Sequence, residues 1–535
     1  MIMKAILTTI FVFQMLLGFT QSSLDFSIKL EAVSIQGLPG IHSYAFAQHD
    51  SKWLIIGGRL DGLHPRQPFA AFPQAFNNTE LYVVDVNTKQ VWSASVDLLP
   101  VSIAEQLQST NMNFYQEKDT LYIIGGYAYS PTADDHITFP ALTTVQVSSI
   151  IDAIINGDPI QDYFKQINDD IFAVAGGQLG MINNTFFLVG GNRFDGRYNP
   201  MGNPTYTQSY TNQIRKFTID NSGTPLSFDN YSTITDPVHL RRRDYNLLPQ
   251  IYPDGSHGYT ISSGVFQENI DLPFLYPVDI NESFYRAVTS FNQYLSNYHS
   301  AKACIYDSIN NRMHSIFFGG ISQYYYENGT LIQDDLVPFV KTISSLTRNA
   351  DSSLQEILLP LEMPQLQGAS AEFIPNNNLP HYPSEIIKLS ELVDDTVTIG
   401  HIFGGIYSPY LNPFSNFQTS STSADNTIFA VKLIKDTPSG EKLVDTNIPF
   451  SKFNLYPNPA DTQINLTYNL SREVHVNYHI TSPCGKMLKQ GDLNNQKTGN
   501  NHQIISIDEN INFRIVFLTL VFDHKYFVVR KVIIG

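Results

Sequence analysis

The chain has 535 residues, of which 15% are charged and 12% aromatic, with 32 glycines and 29 prolines. Such a length exceeds one simple core, and the composition fits a turn-rich globular β protein while excluding a disordered one. A formal net charge of −16 offers no basic stripe and argues against nucleic acid as a partner.

Residues 1–22 read as a secretory signal peptide. Lys4 supplies the positive start, an apolar run covers 5–18, and small and polar residues follow. The run is short for a membrane span of about 20 residues. No cysteine near its end suggests a lipid anchor, and no later stretch reads as a transmembrane span.

Downstream, an apolar strand ends repeatedly in a glycine doublet. The doublets are Gly57-Gly58, Gly125-Gly126, Gly190-Gly191, Gly319-Gly320 and Gly404-Gly405, with a degenerate Ser263-Gly264 between the third and the fourth. They lie about 55 to 85 residues apart, and such self-similarity marks a repeat architecture. Each doublet strand forms the second arm of a hairpin whose turn carries Asp, Asn, Lys, Gly or Ser, as at Asp50-Ser51 and Pro253-Asp254-Gly255-Ser256. The sixth hairpin carries a long insertion across 375–395. A third strand follows each doublet, at 81–86, 143–147, 213–219, 275–278, 340–344 and 427–433. None of the doublets opens a dinucleotide-binding helix.

Four short strands and one long loop per repeat imply sheets arranged radially. The last unit stops at its third strand, and a spare strand at 26–35 would complete it, hiding both sheet edges. The expected fold is therefore all-β: a six-bladed propeller over 23–436, a linker over 437–450, and a small β-sandwich over 451–535.

Gly57-Gly58 followed by Tyr82, Asp85 and Trp92 resembles the kelch family of β-propellers. The later units keep the doublet but lose the tryptophan, since Trp53 and Trp92 are the only two. The resemblance covers about residues 26–435.

The last segment opens on Tyr456-Pro457-Asn458-Pro459-Ala460 and continues with short alternating strands at 463–470, 474–480, 502–507, 513–522 and 526–533. It resembles the type A C-terminal sorting domain of the type IX secretion system of Bacteroidetes. Asn465 to Leu470, Gly485-Lys486 and the ending Arg530-Lys531-Val532-Ile533-Ile534 carry the match. Asn512-Phe513-Arg514-Ile515-Val516 stands where the family has a Pro-Gly turn. The resemblance implies a partner in the outer-membrane secretion machinery and a secreted or cell-surface location.

Candidate ligand-binding residues lie in the loops around the expected channel. Arg59-Leu60-Asp61-Gly62 and Arg193-Phe194-Asp195-Gly196 repeat one string in two units. Each arginine either orders its turn or clamps a carboxylate ligand. Arg241-Arg242-Arg243-Asp244 enters an innermost strand, and His42 and His299 occupy similar positions in two units. Tyr324-Tyr325-Tyr326 adds aromatic surface. The set His42, Arg59, Arg193, Arg242, His299 and Tyr324 is the expected site.

Aromatic rings with Arg, Asp and Asn suit carbohydrate. Some kelch propellers are copper-radical oxidases, which need a Tyr–Cys cross-link with His ligands. Cys304 sits inside a strand, where a buried inert thiol is expected, and Cys484 lies in the other domain. No cofactor or metal is therefore expected. The expected function is an exported binding or scaffold propeller for glycan or protein, with a carbohydrate-active enzyme such as a sialic acid mutarotase as the alternative.

Overall fold

A computed structural model describes residues 24–435 and 450–535, apart from 68–69, 200–204, 328, 483–486, 508–510, 512 and 524–525. The expected signal peptide, the linker up to residue 449, Cys484 and Gly485-Lys486 lie outside the described residues. The chain divides into two compact units, residues 1–436 and 437–535. Among the described residues strands dominate both, and two α-helices interrupt the first, Val101–Leu107 and Val147–Asn156. No described helix is long and apolar enough to cross a membrane.

Among the described residues the first unit holds six sheets of four or five strands. In chain order, their two innermost strands are Ala45–His49 with Lys52–Ile56, Asn113–Glu117 with Thr120–Ile124, and Gln178–Ile182 with Thr185–Val189. The remaining pairs are Asn246–Ile251 with His257–Ser262, Ala301–Asp307 with Arg312–Ile321, and Glu372–Pro375 with Thr396–Phe403. The sixth sheet takes its outer strand from the start of the unit. Phe26–Val33 pairs antiparallel with Ile428–Lys435, in register from Phe26↔Lys435 to Val33↔Ile428. The spare strand thus lies where the closure argument puts it.

Each sheet has a neighbour on both faces, which explains why doublet strands read as unbroken apolar runs rather than alternating ones. Leu121 to Ile124 are all buried. One apolar layer joins sheets one and two, and similar layers join two with three, three with four, four with five and five with six. A further layer, holding Tyr44, Trp53, Ile374 and Phe403, joins six with one.

Two cyclic sets of backbone hydrogen bonds accompany these layers. The second residue of each doublet donates its amide to the segment entering the next sheet. Gly58 reaches Ser109, Gly126 Val174, Gly191 Arg242, Gly264 Asn297, Gly320 Gln367 and Gly405 Ile41, at 2.7–3.0 Å. In the second set Ser43 donates to Ser370, Ser370 to His299, His299 to Asp244, Asp244 to Gly176, Gly176 to Asn111, and Asn111 back to Ser43, at 2.8–3.1 Å. Ser43, Asn111, Gly176, Asp244 and Ser370 have φ of 51–66°, a region that Asn, Asp and Gly enter more readily than other residues. In the degenerate doublet Ser263 itself takes φ 45°.

The structure extends and shifts several expected elements. The third strand of sheet four is Val278–Asn281, about three residues later than expected. Outer strands Phe164–Asn168, Ser227–Thr235 and Leu354–Glu362 went unread. Ser227–Thr235 is largely exposed and lacks the apolar signal. The strand expected to run through Val147 gives way there to the second helix. Val147, Ile150, Ile151 and Ile154 recur at helical spacing and are buried, and Gly157 closes the helix at φ 74°.

The second unit contains two sheets around one core. Phe450–Tyr456, Gln463–Leu470 and Gly499–Ser506 form one; Met487–Gln496, Val474–Thr481, Ile515–Phe522 and Tyr526–Ile533 form the other. Here the strands alternate cleanly, with Val474, Val476, Tyr478 and Ile480 inward. Met487–Gln496 is polar and buries none of its residues, so its pattern did not announce a strand.

A Cβ at Gly125 (φ 69°) would collide with the Val174 carbonyl, whereas one at Gly157 (φ 74°) would meet nothing within 4 Å. Gly125→Ala should therefore lower unfolding free energy by about 2–5 kcal/mol, adding overpacking to left-handed strain. Gly157→Ala should cost about 1 kcal/mol. Urea denaturation of the two variants checks the difference.

Candidate functional site

The loops that follow the doublets were expected to form the functional face. They pack largely on themselves. His64 stacks on Phe72 at 4.8 Å, lies 4.8 Å from Tyr198 and reaches Phe414 at 5.5 Å. Tyr127 contacts Phe72 and Phe194. Rings from the loops of sheets one, two, three and six thus share one cluster. Burial there pushes the His64 imidazole down to about 4.

The six expected site residues fall into separate networks. Arg59 is buried and binds Asp61 with two parallel bonds of 2.8 and 2.6 Å, while its third nitrogen donates to Asn77. His42 lies 3.8 Å from the same Asp61, and burial lowers its pKa. Arg193 repeats the pattern with Asp195 at 2.6 Å but remains exposed. The two matching strings therefore make the same turn-ordering pair.

Arg242 is fully buried between Phe274 and Tyr276 and donates to the carbonyls of His239, Ser263 and Tyr276. Burial lowers its pKa to about 10, so it stays charged at neutral pH. Tyr324 lies in a short hairpin with its ring 4.8 Å from Tyr294. His299 faces Glu372 at 3.2 Å. Burial opposes ionisation of Glu372, but His299 and Lys302 outweigh it and hold the carboxyl below its usual range. The structure brings His42 and Arg59 together around Asp61 and leaves the other four apart.

The space inside the sheets lies elsewhere. A cavity of about 290 Å³ is lined by Phe46, Phe114, Gln178, Leu247, Lys302 and Phe373, one from the innermost strand of each sheet. A smaller void of about 20 Å³ beside the Ser43–Asn111–Gly176 hydrogen bonds shares Phe114, Gln178 and Glu372 with it. The insertion within sheet six supplies His381, Ser384 and Glu385 to the larger cavity. Glu385 lines the cavity from this insertion.

Cys304 also lines the cavity, but burial pushes its thiol up to about 11. Among the described residues no group of three or more His, Cys, Asp and Glu could hold a metal ion. Sequence reasoning missed Glu372, Lys302 and Glu385. The readable signals were polar residues inside otherwise apolar inner strands and the unusual length of the sixth hairpin.

The second unit carries a different kind of site. Asn458 donates to the Lys531 carbonyl at 3.0 Å and accepts from the Ile533 amide at 2.8 Å. The Ala460 amide donates to Ile533, and the Gly535 amide donates to Ala460. The opening motif and the chain's last residues, recognised as two separate features, are thus one clasp.

Residues 454–534 match the family described as "Secretion system C-terminal sorting domain". This domain marks the chain for type IX secretion to the cell surface or the medium. No curated protein matches the sequence. Many solved structures align with it, among them the following two. "Structure of YjhT" aligns at 11% identity and TM-score 0.41, covering 75% of this chain and 99% of that one. "Novel fungal alcohol oxidase with catalytic diversity among the AA5 family, in complex with copper" aligns at 9% identity and TM-score 0.35, covering 95% and 99%. Likeness at that level carries no argument about this chain.

Removing the clasp side chain should loosen the chain end without unfolding the first unit. Asn458→Ala is expected to cost the second unit about 1 kcal/mol. The amides of Ile533 and Gly535 should exchange faster with deuterium, while those of residues 24–435 stay unchanged.

Proposed function

We propose that residues 24–435 form a six-bladed kelch-like propeller that acts, once exported, as a binding or scaffold module for a glycan or protein ligand. The observation that carries this reading is the axial cavity, to which the innermost strand of every sheet contributes a residue. The cyclic hydrogen bonds and the apolar layer between sheets six and one support closure. Pairing of Phe26–Val33 with Ile428–Lys435 would then seal the ring.

His299 borders only the smaller void, which at about 20 Å³ has room for one water and none for a substrate, while Glu372 reaches the larger cavity as well. In this reading His299 and Glu372 set the charge at the cavity's inner end. His42, Arg59 and Arg242 hold the loops above it, and Arg193 and Tyr324 remain available at the periphery.

The C-terminal unit acts as an address rather than as part of the working module, and we propose that it is removed after export. Residues 1–22 would direct passage across the inner membrane first. Deleting residues 451–535 should leave the propeller in the periplasm, as cell fractionation would report. Mass spectrometry of the native protein should find its mature C-terminus before residue 451. Undiminished surface display of the deleted chain would contradict the assignment.

A further inference from the structure

The axial cavity does not end at the axis. It shares Gln116, Lys118, Pro375 and Asn377 with a cleft of about 630 Å³ between sheets one and six. The insertion decides where the opening lies. Its short strand Ile387–Lys388 pairs in parallel with Ile305 and Tyr306 of sheet five. Tyr382 contacts Tyr306 and His257, and Ile386 and Ile387 are buried. The insertion therefore straps sheets four and five, while the cavity continues toward sheets six and one.

The chemistry of the lining selects among ligand classes. Asn87, Asn377 and Asn378 bring carboxamides to the cleft besides those of Gln116 and Asn376, which bond within the protein. Carboxamides both donate and accept, as sugar hydroxyls require. The half-buried rings of Phe114 and Tyr115 lie in the cavity, and aromatic faces suit the apolar faces of sugar rings. Lys118, Lys302 and Lys432 line the site together with Glu31, Asp50, Glu372 and Glu385, and Lys432 pairs with Glu31, so the two signs nearly balance and do not call for an ionic ligand.

A peptide is disfavoured for a separate reason. Ala45–His49 is an inner sheet edge, where an added strand would need free backbone groups. At the cleft end of this edge the Gln116 carboxamide already occupies those of Gln48, accepting from its amide at 2.8 Å and donating to its carbonyl at 2.9 Å.

We propose that cavity and cleft form one continuous site for a neutral oligosaccharide, its terminal ring in the cavity and its chain leaving between sheets one and six. The proposal rests on the binding-module reading above and narrows its ligand.

The test is calorimetry on the full chain with neutral glucose-, mannose- and xylose-based oligosaccharides, from monosaccharide to hexasaccharide. A uronic-acid oligosaccharide and a tryptic peptide mixture serve as the other arms. At least one neutral series should bind, more tightly as it lengthens. Asn377→Ala, where cavity and cleft meet, should weaken the longer members about tenfold, the worth of a good hydrogen bond, and Asn87→Ala, in the cleft alone, should weaken them and leave the monosaccharide unchanged. Phe114→Ala should weaken all members. Phe114 also packs on Phe46, so the exposed Asn377 variant carries the test if that protein fails to fold. Neutral binding indifferent to Asn377→Ala, or binding of the acidic sugar alone, would overturn the proposal. Binding of a peptide or protein but no sugar would overturn it and leave the binding-module reading standing. Failure to bind any ligand, glycan or protein, would overturn both.

Discussion

The amide of the second residue in each doublet, bonded to the segment that enters the next sheet, is the contact on which the rest of the first unit depends. A hydrogen bond of this kind contributes only about 1 kcal/mol by itself. Its importance is geometric. It brings the end of one strand against the backbone that starts the next sheet, so closely that a side chain at the doublet's first residue has little room, and only the fourth joint carries one, Ser263. A Cβ at Gly404 would collide with the Ile41 carbonyl, just as one at Gly125 would with Val174. The apolar layers supply most of the driving force. The doublets fix how one layer is joined to the next.

From that contact the interior follows. Because each entering segment is held at its neighbour's doublet, its first residues can bond in turn around Ser43, Asn111, Gly176, Asp244, His299 and Ser370. The first strand of each sheet then runs on from these bonds and lines the cavity. Side chains alternate along those strands, so a polar residue at a single inward position, such as Glu372 or Lys302, is enough to change the chemistry of the interior. The sixth hairpin insertion completes the enclosure on one side. The second unit obeys a simpler rule, with two sheets around one core and alternation along its central strands, and its opening motif meets its last strand at Asn458.

The sequence displayed the doublets, the hairpins and the spare N-terminal strand because local sterics and short-range turn chemistry dictate them. Outer strands such as Ser227–Thr235 were silent because an exposed edge asks little of its side chains. The helix at Val147–Asn156 was hidden by the strand that runs straight into it. For the site the limit was different. Arg59, Arg193 and the loop aromatics have the composition of a binding face, yet the same residue types also serve to order loops. Only the placement of Asp61, Asp195 and the Phe72–His64–Tyr198 cluster separates the two uses. Glu385 could not be read as a cavity residue, since the return of its loop onto sheet five depends on contacts far apart in the chain.

Hydrogen exchange followed by mass spectrometry tests the central claim most directly. If the doublet contacts hold the six sheets as one cooperative ring, peptides carrying Gly58, Gly126, Gly191, Gly264, Gly320 and Gly405 should be protected together. They should also lose protection together in a chain lacking residues 24–33, although that strand touches only the sixth sheet by pairing. Loss confined to peptides of sheet six, with the other five doublets as protected as before, would contradict the account.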